Sequence, residues 1–244
     1  MLLLSSRVQA EWLDPQVEIY RERQLGDIRE ASPQMVLTAN QRAFCLPYTR
    51  QNQIYAMFGN IPTRETTPVL VSGGRDPGIA TQVRVVNDDL GVLHFVWQRT
   101  PQNQSVIEYR SWNGADNFND GWSEIMTLAQ NGESPSVAAS SVLGGVLYAV
   151  WKENNTVMFY RQMDGETLVE PAGDYDGIPT VFVGLQDEPN ILVGSQQSPL
   201  THLQRQNGLW VDIATLDSEG WDPVILADYD RDRIHVLWTT YALD

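Results

Sequence analysis

A single cysteine, Cys45, leaves this 244-residue chain without an internal disulfide. Lysine is almost absent too: Lys152 stands alone among 16 Lys plus Arg, so 16 − 1 = 15 are arginine. Apolar runs of the about 18 residues that a membrane span needs are missing, so none is expected. Nowhere do Cys and His fall at zinc spacing, does a glycine-rich loop lead a strand into a helix, or does a nucleophile elbow appear. A formal net charge of −15 repels phosphate backbones and argues against nucleic acid as a partner. The stretch Arg42-Ala43-Phe44-Cys45-Leu46 places the lone thiol in a buried strand with no local base to activate it.

What the chain has is a repeat. Pro33, Pro77, Pro135, Pro179 and Pro223 each open a run of small and β-branched residues, at intervals of 77−33 = 44, 135−77 = 58, 179−135 = 44 and 223−179 = 44. Units of about 40 to 50 residues built from short strands characterise propeller blades. The first strand follows each proline, as in Ser136-Val137-Ala138 and Val224-Ile225-Leu226. The second ends on an aromatic residue: Tyr48, Trp97, Trp151 or Trp238, with Gly194-Ser195 in the fourth unit. The third carries Tyr-Arg, as Tyr109-Arg110 and Tyr160-Arg161, and a fourth is led by Trp122 or Trp210. Alternating β-branched and aromatic residues between Gly, Asn and Asp turns support strands throughout. The extra length of the long unit falls partly in the polar stretch Asn113–Asp120.

The pattern Pro-x-Val, Gly-x-Leu-Tyr/His-x-Val-Trp, Val-x-x-Tyr-Arg and Trp-Ser resembles the sialidase-like β-propeller superfamily with BNR-type repeats, from Val17 onward. Its Asp-boxes are degenerate here, at Asn117–Trp122 and Gln206–Trp210. The fold expected is an all-β, five-bladed propeller over 13–244 with four-stranded antiparallel blades. Strands from both termini, including Val17-Glu18-Ile19-Tyr20-Arg21 and the two strands ending at Trp238 and Tyr241, would complete one blade. A six-bladed ring or a piece of a longer propeller is the alternative. Residues 1–12 read as the end of a secretory signal (Val8-Gln9-Ala10) or as an extra strand, which points to an extracellular or surface location.

In such a fold the turns between second and third strands share one face with the entries to the first strands. Tyr48, Arg50, Arg75, Asp76, Trp97, Arg99, Trp151, Lys152, Glu153, Trp221, Asp222 and Trp238 are placed there. Arg50, Arg75 and Arg99 are candidates to grip a carboxylate, as the resemblance implies, and Tyr48, Trp97, Trp151 and Trp238 to stack on sugars if exposed or to pack the blades if buried. Asp76, Asp222 and Glu153 are the candidate catalytic carboxylates; Arg75-Asp76-Pro77 resembles the Arg-Asp-Pro of five-bladed furanosidases. Yet Ser32 and Ser134 hold the same place before proline, which favours a turn-forming role. Asp228, Asp230 and Asp232 alternate as calcium ligands do, at a hairpin turn where a solvated acidic loop is the simpler reading. His94 and His235 alternate with Tyr148 at one repeat position, as packing residues with a polar tip would. The function expected is a non-catalytic module binding a carbohydrate or protein ligand, without a cofactor. A glycoside hydrolase is the alternative.

Overall fold

A computed structural model of the chain describes residues 28–31, 35–38, 43–63, 65–74, 78–140, 142–228 and 233–240. They form nineteen strands, and among the described residues there is no helix. Sheet one holds β1 (Ile28–Ala31), β2 (Val36–Leu37), β3 (Ala43–Arg50), β4 (Gln53–Asn60) and β5 (Thr66–Leu70). Sheet two holds β6 (Gly78–Asn87), β7 (Leu93–Pro101), β8 (Val106–Trp112) and β9 (Met126–Ala129). Sheet three holds β10 (Glu133–Ala139), β11 (Leu147–Glu153), β12 (Thr156–Met163) and β13 (Glu166–Asp174). Sheet four holds β14 (Ile178–Val183), β15 (Pro189–Ser195), β16 (Ser198–Gln206) and β17 (Leu209–Asp217), and β18 (Trp221–Asp228) pairs with β19 (Arg233–Thr239). Every pairing is antiparallel, and all but β1 with β3 join neighbours in sequence, as short hairpin connections require. Asp164-Gly165 and Asn207-Gly208 turn two of the hairpins with positive φ at both residues, where Gly has no Cβ to clash.

The sheets stack face to face in chain order, each pair enclosing an apolar cluster. Phe58 and Cys45 meet Phe95 and Trp97 between sheets one and two. Val96 and Ile107 meet Val137 and Trp151 between two and three. Phe159 and Tyr148 meet Ile191 and Leu203 between three and four, and Phe182 and Leu192 carry Ile225 and Val236 beyond. β6, β10, β14 and β18, the first strand of each of four successive sheets, line one shared cavity of about 320 Å³. Sheets packed in series with their first strands around a common channel make the fold propeller-like.

Two expectations are corrected. The repeat register of sheet two is set at Val83, not at Pro77, which lies outside the described residues. Arg84 faces Val96 as Ser136 faces Val150 and Val224 faces Leu237, with Trp97, Trp151 and Trp238 next along. Gln82, Ser134 and Asp222 each precede that position with φ of 52, 54 and 52° at a β-bulge. A bulge removes that amide from the ladder, so proline fits there without being required. The spacings become 83−33 = 50 and 135−83 = 52, and the second exceeds 44 by the eight residues of Asn113–Asp120. Second, Trp122 does not lead a strand: it bridges Trp112 alone, and the ladder resumes at Met126. The expected closing blade falls in part outside the described residues. The β18–β19 hairpin remains two-stranded, β1 pairs with β3, and residues 17–21 and 241 lie outside the description.

Candidate functional site

The turns between second and third strands do lie at one end of the sheets. They carry Tyr48 and Arg50 on β3, Trp97 and Arg99 on β7, and Trp151, Lys152 and Glu153 on β11. The β18–β19 hairpin adds Trp221, Asp222 and Trp238. Arg75, Asp76, Asp230 and Asp232 lie outside the described residues, and Asp228 is placed only by its backbone pairing with Arg233.

The aromatic set is blade packing in three of its four members. Trp97, Trp151 and Tyr48 are 0, 1 and 4% exposed, whereas Trp238 keeps 37%. Each of the three indoles donates its N–H to a carboxylate: Trp97 to Glu108 at 2.9 Å, Trp151 to Glu153 at 2.8 Å and Trp238 to Asp217 at 2.7 Å. The acids come from the facing strand, from the same strand and from the preceding sheet, so no single repeat position encodes them. A buried indole N–H needs such an acceptor.

Glu108 was not singled out by its sequence. It sits directly opposite Trp97 and is 2% exposed, among the buried Val106, Ile107 and Tyr109. Its other oxygen accepts a 2.6 Å bond from Arg99. Arg99 is therefore engaged by a structural acid instead of standing open to an anionic ligand. The signal available beforehand was an acid inside a strand whose neighbours are all apolar. Glu153 is likewise held by Trp151, and Lys152 lies 3.3 Å from the exposed Asp176.

On the opposite end, Arg205 pairs with Glu170 of β13 at 2.7 Å and Trp210 joins the same oxygen at 3.1 Å, tying sheet four to sheet three. Arg110 donates to the Val71 carbonyl of the preceding sheet at 2.8 Å. Glu170 and a backbone carbonyl thus link neighbouring sheets. His94 is buried between the Tyr109 hydroxyl at 2.9 Å and Asp88 at 3.2 Å, and burial lowers its pKa despite the carboxylate. Burial pushes the Cys45 thiol far up and keeps it protonated. Among the described residues no group of three or more His, Cys, Asp or Glu gathers as a metal centre, and no helix is long and apolar enough to cross a membrane.

What remains open at the turn end is polar. Asp222 is exposed and lines the channel cavity with Gln82, Ser134, Ser136 and Thr180, and among the described lining residues it is the one carboxylate. Thr49 Oγ1, Asn52 Oδ1 and Trp221 Nε1 are buried at this same end without a hydrogen-bond partner. Such atoms are rare in folded proteins, because each forfeits about 1–3 kcal/mol of hydration. Glycoside hydrolysis needs two carboxyl groups flanking the bond, and the described residues bring only Asp222 to the cavity.

No protein-family model matches the chain, and no curated protein is significantly similar to it. Among solved structures, one from a study of two prolyl endopeptidases superposes with a TM-score of 0.49 at 11% identity over 86% of this chain. Oligopeptidase B from Trypanosoma brucei with covalently bound antipain gives a TM-score of 0.38 at 8% identity over 80%. This chain spans about a third of the length of either protein, 32% and 29%.

Proposed function

We propose that this chain is a non-catalytic binding module of the propeller type, completed as five blades by residues 17–21 beside β19, and displayed outside the cell or on its surface. Its ligand is a hydroxyl-rich one, a carbohydrate, held at the turn end of the channel. The observation that supports this reading is the set of buried polar atoms without partners, Thr49 Oγ1, Asn52 Oδ1 and Trp221 Nε1, at the end where Asp222 opens into the cavity. Sugar hydroxyls donate and accept at once, so they suit both the acceptors and the donor. Trp238, 37% exposed, supplies an apolar face for a ring.

A glycan array beside a panel of chromogenic glycosides tests the reading. Binding without turnover, lost in Asp222→Ala and Asn52→Ala, is the expected result. Turnover would replace the module by a hydrolase, and silence on both would point to a protein ligand.

A further inference from the structure

The eight-residue insertion of sheet two is built as a rigid cover rather than a loose loop. Trp112 Nε1 donates to the Asp120 carbonyl at 2.8 Å, Trp122 Nε1 to that of Phe118 at 2.8 Å, and Asn113 N to that of Gly121 at 3.0 Å. Gly121 is required where it stands: its φ is +76° and a Cβ would fall 2.0 Å from Asn113 Oδ1. Phe118 then reaches across to sheet one and stacks on Phe58 of β4, centroids 4.6 Å apart and planes 11° apart. The cover is thus fastened to sheet two at its ends and to sheet one through Phe118.

Beneath it opens a cleft of about 390 Å³, bordered by Leu90, Gly91, Asn60, Trp112, Asn113 and Asp116. Leu90 belongs to the β6–β7 turn, so the cleft lies at the opposite end of the sheets from the channel mouth. In repeat proteins an insertion confined to one unit often marks a binding face. Leu90 is 68% exposed, Asp116 is exposed beside it, and the described lining holds no Lys or Arg. Trp112 is 2% exposed with its ring tilted against Phe58, so no flat aromatic floor is offered to a sugar. An anion finds no cation here among the described residues. A cationic group beside an aliphatic one finds both Asp116 and Leu90, within a molecule of net charge −15.

We propose that this cleft binds a basic peptide segment, a lysine or arginine at Asp116 and a neighbouring apolar side chain on Leu90, with the exposed Asn113 amide meeting the peptide backbone. The test uses the full chain, labelled with nitrogen-15, and a short synthetic peptide alternating lysine with leucine. Two further probes are the same peptide with glutamate for lysine and a neutral malto-oligosaccharide. Expected are shifts of the Trp112 indole N–H and of amides 89–91 and 113–118 with the basic peptide alone. Asp116→Lys and Leu90→Lys each weaken binding by at least about 10-fold, with thermal midpoints unchanged because both side chains are exposed; Asp116→Asn, which disturbs the loop less, weakens it in the same direction. Shifts scattered over the acidic surface, equal affinity in the variants, equal binding of the glutamate peptide, or binding of the oligosaccharide instead would each overturn the proposal.

Discussion

Replacing Glu108 tests whether the turn-end aromatics are held by buried charge. Glu108 is 2% exposed, receives the Trp97 indole at 2.9 Å and Arg99 at 2.6 Å, and the Arg99 side chain is 18% exposed. Removing one member of a buried pair costs about 3–5 kcal/mol because the other charge loses its partner. Partial access of Arg99 to water places Glu108→Ala near the lower figure, about 3 kcal/mol. Glu108→Gln keeps an acceptor for the indole and loses only the charge, so about 1–2 kcal/mol is expected. In urea, with a slope of about 3 kcal/mol per molar, the Ala variant moves the midpoint down by about 1 M and the Gln variant by about 0.3–0.7 M. A double-mutant cycle with Arg99→Ala should return a coupling above about 1 kcal/mol. An Ala midpoint within about 0.2 M of the parent chain, or a Gln variant as damaging as Ala, would refute the reasoning.

Other perturbations follow from the same contacts. Gly194→Ala places a Cβ 2.5 Å from the Gly220 carbonyl and 3.0 Å from Leu200 Cα, both backbone atoms, and should lower stability by about 1–3 kcal/mol in denaturant titration. His94 has its pKa lowered by burial, so the neutral ring is favoured in the folded chain; its contribution is complete above the unfolded value of about 6.5 and is lost as pH falls through the folded one. Melting should therefore weaken from pH 7 to 5, less steeply in His94→Gln, with the residual slope carried in part by His202, whose pKa is lowered likewise. Asp217 is held below its ordinary range by the Glu219 amide and the Trp238 indole, so what it adds is present above about pH 4 and fades as acid titrates the folded carboxylate. Trp238 fluorescence should report that step, and Asp217→Asn should remove it.

How much of this was legible in the sequence differs by element. The second strands were plain, because Leu93–Trp97 and Leu147–Trp151 are buried on both faces and read as largely apolar runs. Prolines were a poorer guide to register, since the bulge at Gln82-Val83 uses positive φ without proline and Pro77 stands six residues ahead of it. The missing aromatic of the fourth unit had no visible cause until Gly194 was seen pressed against Gly220, which itself packs under Trp238. Burial of Trp97 and Trp151 was weighed beforehand, but their acids were not, because cross-strand and inter-sheet partners such as Glu108 and Asp217 depend on exact pairing that repeat spacing leaves open. The Asn113–Asp120 stretch was recognised as a polar loop. That two flanking tryptophans brace it could not be read, since indole-to-carbonyl bonds leave no pattern in the residues.

We propose that the sheets form a ring whose last member is finished by the head of the chain. β19 bonds to β18 on one side only among the described residues, so every second amide of Arg233–Thr239 points toward an edge that residues 17–21 are proposed to cover. Hydrogen exchange resolved by residue measures this. Those outward amides should be protected in the full chain and exchange freely in a chain beginning at residue 28, while the inward ones stay slow in both. Outward amides exchanging at the rate of an open edge in the full chain would contradict the account.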